Sequence, residues 1–332
     1  MPLISESELK KYGKTYSLSK KAIALVNQQK ATWPLASANY KALKTVRENN
    51  FNMGHYTLKY QFNPERIRSS AANTTQEAIL SRPCFLCFQN LPSEQYGVPF
   101  GDQFMVLTNP FPIFPYHLTI PSIQHHPQMI DGNVGTMLDL SYALSDFTVF
   151  YNGPRCGASA PDHMHFQAGI KETLPVEEEF DALRDNHSEI LFRDEKSTLF
   201  AVENYLRRFI GFHSTDKETL MCQLTRIIGC LPRPDNEEPM MNILAWYQFP
   251  EWKVILFPRA KQRPWQYFAD DLNQLVISPA AVELGGLIIL PREEDYYKLT
   301  AKDLISIFDQ VTIPKDEFNE LKTNIFKLIK PA

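Results

Sequence analysis

The amino-acid sequence predicts an α+β protein with strands and helices in both halves of the chain. Segments that alternate with period two and segments with helical spacing follow one another throughout. A strand that runs into a proline also recurs, since EWKVILFPR in the second half resembles DQFMVLTNP and YHLTIPS in the first. The 332 residues, 44% of them apolar and 22% charged, suit a globular chain of about two domains or one large one.

The first 50 residues are predicted to form packing helices. Ser5 and Glu8 have the spacing of a capping box, and a second apolar run ends at Asn49 and Asn50. A strand is predicted over residues 56–62, where large apolar side chains alternate with polar ones.

Prolines interrupt the next part of the chain. Residues 83–127 hold eight of the 24 prolines, so regular helix is not expected there. The acidic segment 171–195 is expected to be a linker or an exposed excursion. The remaining strands are predicted at residues 104–107, 118–120, 147–151, 163–170, 242–247, 253–257 and 287–290, and the remaining helices at 134–144, 220–228 and 318–329.

The charge balance restricts the class of partner. With 34 Lys and Arg against 38 Asp and Glu, the net charge is −4, and no overall positive field attracts nucleic acid or an anionic membrane. The sequence has no run of about 18 apolar residues, and its start lacks the basic and then apolar order of a secretory signal. We therefore expect a cytoplasmic protein that binds neither nucleic acid nor membrane.

Cys84 and Cys87 form a C-x-x-C pair in the proline-rich segment. In a reducing compartment such a pair indicates half of a metal site, a redox dithiol or two packed thiols. The sequence shows no thioredoxin-like context for a dithiol. Zinc takes four ligands, usually Cys and His, and five of the eight histidines lie within 49 residues of one another in the same half: His117, His125, His126, His163 and His165.

The strand HMHFQAGI follows a loop of small residues, GASAPD. Its alternation places His163, His165 and Gln167 on one face and apolar side chains on the other. Small residues let backbone N–H groups approach a phosphate, and an imidazole held beside that phosphate can attack phosphorus. The pattern indicates nucleotidyl transfer through a covalent phosphoramidate, with Gln167 as a hydrogen-bonding partner.

The segment FYNGPRCGASAPDHMHFQAG resembles the active-site strand of the histidine triad (HIT) superfamily, in the branch with His-x-His-x-Gln. That branch includes galactose-1-phosphate uridylyltransferase, diadenosine tetraphosphate phosphorylase and the GDP-hexose phosphorylases. Three further segments are similar to other parts of the same family: NPFPIFPYHLTIPSIQHHPQ, NILAWYQFPEWKVILFPR and ISPAAVELGGLIILPREEDY. The resemblance implies HIT-like antiparallel sheets with flanking helices and two related halves. Residues 1–180 would form the catalytic domain with a helical extension, and residues 181–332 a related domain without His-x-His.

The resemblance also implies roles for individual residues. His165 would be the nucleophile that accepts a nucleoside monophosphate, with Gln167 beside it. Asn152, Gly157 and Ser159 would contact the substrate phosphates. Four basic residues could neutralise substrate phosphates or be ordinary surface charges: Arg66, Arg68, Arg259 and Lys261. The aromatic residues Phe111 and Phe114 either line a base pocket or belong to the core. His117 is expected to be a polar residue near a strand start.

A structural zinc is the cofactor that the resemblance implies. Cys84, Cys87 and His163 match three ligands of the family's zinc site, and the fourth would be His125 or His126. The spacing after the upstream strand favours His125. Four protein ligands leave no open position for a catalytic water, so this zinc would stabilise the fold.

The resemblance therefore predicts a nucleotidyltransferase or phosphorylase with a nucleotidyl-histidine intermediate. The donor would be a nucleoside diphosphate sugar or a dinucleoside polyphosphate, and the acceptor a phosphate or a sugar phosphate. A HIT-type nucleotide hydrolase and a non-enzymatic, zinc-stabilised binding protein are the alternatives. Relatives of the transferase are often dimers, so a homodimer is also compatible with the resemblance.

Overall fold

The computed structural model describes residues 3–67, 76–233 and 237–329 and confirms an α+β fold of antiparallel sheets with flanking helices. The helices are α1 Glu6–Leu9, α2 Leu18–Thr32, α3 Pro34–Ala42, α4 Gln76–Leu80, α5 Val134–Ala143, α6 Pro175–Asn186, α7 Lys217–Ile228, α8 Ala281–Leu284, α9 Glu293–Lys298, α10 Ala301–Val311 and α11 Lys315–Ile329. Within these ranges no helix is both long enough and apolar enough to cross a membrane.

The strands form two sheets. They are β1 Arg47–Asn52, β2 Thr57–Phe62, β3 Gly97–Phe100, β4 Phe104–Thr108, β5 His117–Pro121, β6 Phe147–Asn152, β7 His165–Ile170, β8 Glu189–Arg193, β9 Ser197–Val202, β10 Phe209–Ser214, β11 Met241–Gln248, β12 Glu251–Pro258 and β13 Leu287–Leu290. Ten of them lie in the order β3-β4-β5-β7-β6-β11-β12-β10-β9-β8, with antiparallel neighbours throughout. The smaller sheet has the order β1-β2-β13, and its β2–β13 pair is parallel, unlike the predicted arrangement.

The two halves of the large sheet repeat one strand order. In the first half β3, β4 and β5 form a meander, α5 follows, and β6 and β7 return so that β7 lies beside β5. In the second half β8, β9 and β10, then α7, then β11 and β12 repeat these steps, with β12 beside β10. The antiparallel pair β6–β11 joins the halves. The domain boundary after residue 180 stays a prediction.

Both faces of the large sheet are covered by apolar packing. On one face, side chains of α2, α5, α7 and α11 pack against inward-facing residues of the strands. On the other face, side chains of α6, α8, α10 and the small sheet pack mainly against the second half. On this second face, the strands of the first half of the chain stay partly uncovered, and the cavity described below lies over them.

Two expectations about local structure are wrong. Residues 171–195 are not a linker but contain α6 and β8. Of its acidic residues, Glu178, Asp181 and Asp185 are exposed, while Val176, Phe180 and Leu183 are buried at helical spacing. Asn49 and Asn50 do not end a helix, because α3 ends at Ala42 and these residues lie in β1. The sequence interpretation also missed β9, β10, α9 and α10.

Candidate active site

Strand β7 lies between β5 and β6 in the first half of the sheet. Its apolar residues Phe166 and Ala168 are wholly buried in the core, as the alternation predicts. His165 and Gln167 lie on the other face, opposite Pro121 and Thr119 of β5, and line the cavity. The predicted strand is two residues too long at its start, because β7 begins at His165. His163 therefore does not share the cavity face and lies with Cys84, Cys87 and His125, the residues predicted to bind a metal with it.

The environment of His165 determines its tautomer. Its Nδ1 lies 2.8 Å from the His163 carbonyl oxygen, which can only accept, so Nδ1 carries the proton. The lone pair is therefore on Nε2. Burial lowers the pKa of His165 to about 4, which keeps the ring neutral near pH 7. Its backbone N–H donates to Oε1 of Gln128 at 2.7 Å, and Nε2 of Gln128 donates to the carbonyls of His165 and Asn152, at 3.0 Å each.

His117 fixes the orientation of the Gln167 amide. The Ile113 backbone N–H donates to His117 Nδ1 at 3.2 Å, so the proton of this ring is on Nε2. That Nε2 donates to Gln167 Oε1 at 3.1 Å, which leaves the Gln167 amide nitrogen as the donor of this side chain. Burial, with the nearby charge of Arg66, lowers the pKa of His117 to about 3. The sequence interpretation missed this contact, although period-two spacing in β5 already places His117 and Thr119 on one face.

The loop after β6 carries the predicted phosphate contacts and is held by the second half of the chain. Oδ1 of Asn152 accepts from Nδ2 of Asn242 at 2.8 Å and from the Ala281 N–H at 2.9 Å. The same Asn242 nitrogen donates to the Cys156 carbonyl at 2.8 Å. Gly157 has φ +98°, and a Cβ there would lie 2.5 Å from Cβ of Ala280. Contacts from β11 and from the segment before α8 thus shape this loop.

Arg259 is part of this support. It is buried, and its guanidinium donates to Asn242 Oδ1 and to the carbonyls of Val311, Lys261 and Gln262. Arg259 does not line the cavity, so its position does not support the prediction that it neutralises a substrate phosphate.

Of the other basic candidates, Lys261 is exposed and lies away from the cavity lining, and Arg68 lies outside the described residues. Arg66 does line the cavity.

The cavity has a volume of about 510 Å³ and brings together the predicted catalytic and substrate-binding residues. These are His165, Gln167, Asn152, Gly157 and Ser159. An apolar part is lined by residues of the first half, among them Trp33, Leu35, Leu91, Pro92 and Phe111. The second half contributes Gln262, Arg263, Ser278, Ala280, Val282 and Glu283. Phe114 is a core residue, with its ring edge-on to His117 at 5.2 Å between centroids.

The donor atoms of Cys84, Cys87, His125 and His163 lie within 4.8 Å of one another, whereas His126 is not part of this group. The Cys84 Sγ and His163 Nδ1 atoms are 3.3 Å apart, and Cys87 Sγ lies 3.2 Å from His125 Nδ1. Tetrahedral zinc with ordinary Zn–S and Zn–N bonds separates such atoms by about 3.6 Å, so the group fits zinc. His163 Nε2 donates to the Ser122 carbonyl at 2.9 Å, which leaves Nδ1 free to bind a metal.

Comparisons with known proteins agree with this architecture. Residues 25–170 match a domain of unknown function, DUF4922, and residues 182–332 match the GDPGP1-like, C-terminal domain. Yeast Ap4A phosphorylase Apa2 in complex with AMP has the same fold, with a TM-score of 0.51, 17% identity and coverage of 87% of this chain and 96% of that chain. The chain therefore shares the fold of this phosphorylase, and its second half matches the model of the GDPGP1-like C-terminal domains.

The complex of the yeast phosphorylase with Ap4A gives a similar match, with a TM-score of 0.50, 16% identity and coverage of 84% and 96% of the two chains. No curated protein matches the chain in sequence. At these identities the structural matches show the fold and not the substrate.

Several residues of this site lie outside the two motifs that sequence reasoning used. Gln128 connects the ends of β6 and β7, and Asn242 connects the loop after β6 to β11. Glu283 lines the cavity from α8. These isolated polar side chains follow no periodic pattern, and the partners of Gln128 and Asn242 are between 24 and 90 positions away in the chain.

Proposed function

We propose that this protein is a nucleotide phosphorylase that transfers a nucleoside monophosphate through His165. The match of residues 182–332 to the GDPGP1-like C-terminal domain and the fold shared with Ap4A phosphorylase support the general activity. The donor would be a nucleoside diphosphate sugar or a dinucleoside polyphosphate, and the acceptor inorganic phosphate or a sugar phosphate. One observation carries the proposal: a neutral His165 with its lone pair on Nε2 lines the cavity together with Gln167 and the phosphate loop.

The proposed reaction has two displacements. In the first, Nε2 of His165 attacks the α phosphorus of the donor, an N–P bond forms, and the bond from phosphorus to the bridging oxygen breaks. The leaving phosphate departs with that oxygen and its electron pair. In the second, an acceptor phosphate oxygen attacks the same phosphorus and the N–P bond breaks, which returns neutral His165. With inorganic phosphate as the acceptor, the product is a nucleoside diphosphate.

The surrounding groups would stabilise charge during both steps. Nδ1–H of His165 donates a hydrogen bond to the His163 carbonyl, which would stabilise the positive charge that the ring gains when Nε2 bonds to phosphorus. Gln167 would donate its amide hydrogens to a phosphoryl oxygen, because its Oε1 is occupied by His117. Backbone N–H groups near Gly157 and Ser159 would contact the other oxygens.

A direct test is to label the nucleotidyl-enzyme. Wild-type protein is incubated with GDP-sugars, UDP-sugars and dinucleoside polyphosphates labelled in the α phosphate, and acid-labile label on the protein is measured. We expect label on the wild type, none on His165→Ala, and full label on His187→Ala, whose histidine is exposed and distant from the cavity. Equal labelling of His165→Ala would show that the mechanism is wrong. Release by water as a nucleoside monophosphate, without a phosphate effect, would favour the hydrolase.

Zinc is proposed as a structural metal held by Cys84, Cys87, His125 and His163. When bound, it would stabilise the proline-rich segment and fix the chain before His165. Metal analysis of purified protein tests the ligand set. We expect one zinc per chain, loss of zinc in Cys84→Ser and His125→Ala, and retention in His126→Ala. Loss in His126→Ala with retention in His125→Ala would reverse the assignment of the fourth ligand.

A further inference from the structure

Gln128 is a buried glutamine whose side chain lies between two neighbouring strands of the large sheet. The pairing of β6 with β7 ends at Phe150 and Gln167. Continued by two residues, this register would place Asn152 opposite His165. The two strands separate instead, although β6 stays paired with β11 and β7 with β5 up to these residues. A gap therefore opens between the proposed nucleophile and the start of the loop after β6.

The carboxamide of Gln128 fills this gap. The His165 N–H donates to Gln128 Oε1 at 2.7 Å, and Gln128 Nε2 donates to the carbonyls of Asn152 and His165, at 3.0 Å each. In an antiparallel pair, backbone groups at such positions bond directly to the opposite strand. The side chain thus takes the place of a backbone pair, and it gives three buried backbone groups their hydrogen-bond partners. It also spreads the two strands by the width of an amide.

The segment that carries Gln128 is itself fixed beside β7. The Gln128 N–H donates to the Pro161 carbonyl at 3.1 Å, and the Met164 N–H donates to the His126 carbonyl at 2.7 Å. The partners of the side chain, one N–H and two carbonyls, also determine which end of the amide is oxygen and which is nitrogen. Gln128 is only 1% exposed, so its amide is held in this one orientation.

We propose that Gln128 is a positioning residue that sets the place of His165 relative to the loop after β6. This inference rests on the proposed function. Gln128 does not line the cavity, so it acts through the backbone and does not contact the substrate. Its amide holds both backbone groups of His165 on one side and the Asn152 carbonyl on the other. The nucleophile and the phosphate loop are therefore held at one separation, and a misplacement of about 1 Å between reacting groups can cost about a hundredfold in rate.

Single-turnover labelling separates positioning from stability. Gln128→Glu keeps the shape and the acceptor for the His165 N–H but loses both donated hydrogen bonds, and Gln128→Met loses all three bonds. The matched control is Gln29→Met, since Gln29 is also buried, donates to the Glu94 carbonyl at 3.0 Å and does not line the cavity. Labelled GDP-sugars, UDP-sugars and dinucleoside polyphosphates are the donors for the full-length proteins. The labelling rate and the half-saturating donor concentration are measured, and circular dichroism and the melting temperature report folding.

We expect both Gln128 variants to lower the labelling rate at saturating donor by at least tenfold, while the half-saturating concentration changes less than threefold. Gln29→Met should melt at a lower temperature than the wild type but label at the wild-type rate. A folded Gln128→Met that labels at the wild-type rate overturns the proposal. An equal loss of rate in Gln29→Met, or the failure of both Gln128 variants to fold, also overturns it, because Gln128 would then only support the fold.

Nitrogen-15 NMR of protein with labelled histidine rings tests the positioning without a donor. The wild-type His165 ring carries its proton on Nδ1, which faces the His163 carbonyl, and its signal is identified by its absence from His165→Ala. We expect Gln128→Met to show both tautomers of this ring, because the released backbone lets the ring leave that carbonyl, and Gln29→Met to show the wild-type signal. If the wild type takes no label from any donor, the proposed function fails, whereas an unchanged His165 signal in Gln128→Met contradicts only the positioning.

Discussion

The two halves of the large sheet have one strand order but differ in the residues at equivalent positions. Counted from the first residue of the third strand in each half, His117 corresponds to Phe209 and Pro121 to His213. Pro121 pairs with His165, and His213 pairs with Lys253. Lys253 therefore takes the position of the proposed nucleophile, and Ile255, two residues further, takes that of Gln167.

The equivalent faces also differ in what covers them. In the second half, α6 lies on the face, where the Phe180 ring contacts Phe200 and Trp246 edge-on at centroid distances of 5.4 and 5.2 Å. Lys253 Nζ forms an ion pair with Asp181 of α6 at 2.7 Å. In the first half the face opens into the cavity. The same backbone arrangement thus gives a packed core in one half and a site in the other.

The second half instead supports the site of the first. From the second half, Asn242 contacts Asn152 and the loop after β6, and Ala280 contacts Gly157 of that loop. Arg259 holds the Asn242 side chain in place. Glu238 adds a contact near β6, since its carboxylate accepts from Tyr151 Oη–H at 2.7 Å. Breaking these contacts should therefore harm both stability and the proposed activity.

The largest effect is expected for Arg259→Met. This change leaves three backbone carbonyls and the Asn242 amide without their donor, in a buried place. We expect the free energy of unfolding to fall by about 3–5 kcal/mol, the usual result of breaking a buried charged network. Urea denaturation measures it. A loss below about 1 kcal/mol would show that Arg259 does not support the loop.

The next largest effect is a pH dependence of stability that comes from Glu238. Burial raises the pKa of this carboxyl from its ordinary 4.5 to about 7, with Asp131 acting in the same direction. The unfolded chain releases the proton near pH 4.5, so the stability from the neutral carboxyl is complete below that pH and is lost as the pH rises to about 7. The loss is on the order of 3 kcal/mol. Urea denaturation at pH 4 and pH 8 should show that the free energy of unfolding changes less with pH in Glu238→Gln than in the wild type. An equal change in both proteins would show that Glu238 is not the titrating group.

A third prediction tests the contact between Gly157 and Ala280. In Gly157→Ala, the positive φ and the approach to Cβ of Ala280 each oppose the new methyl group. We expect a loss of about 2–3 kcal/mol, with reduced nucleotidyl labelling. The double variant Gly157→Ala with Ala280→Gly should recover the steric part and keep the backbone strain. Strictly additive effects of the two changes would mean that the residues do not touch.

The sequence alone was informative where structure is local and periodic. Alternation predicted β7, and short β-rich segments predicted β5 and β6. The C-x-x-C spacing and the family resemblance selected the cysteines, the histidines and the residues that line the cavity. The sequence interpretation failed for α6, because the many acidic residues of this segment obscured the buried helical spacing of Val176, Phe180 and Leu183. Contacts between the halves, such as Asn242 with Asn152, depend on the β6–β11 pairing, which leaves no period in either segment.

The smallest effect is expected at Lys253, the counterpart of His165. In Lys253→Met the apolar stem is retained among Phe180 and its neighbours, and Asp181, whose side chain is 54% exposed, returns to water. Because the Asp181 carboxylate stays hydrated, no buried charge is left without a partner, and stability should change by no more than about 1 kcal/mol. Nucleotidyl labelling should match the wild type, in contrast to its loss in His165→Ala. If Lys253→Met abolished labelling in a folded protein, the two equivalent positions would share a role in the reaction, and the division between an active half and a supporting half would be wrong.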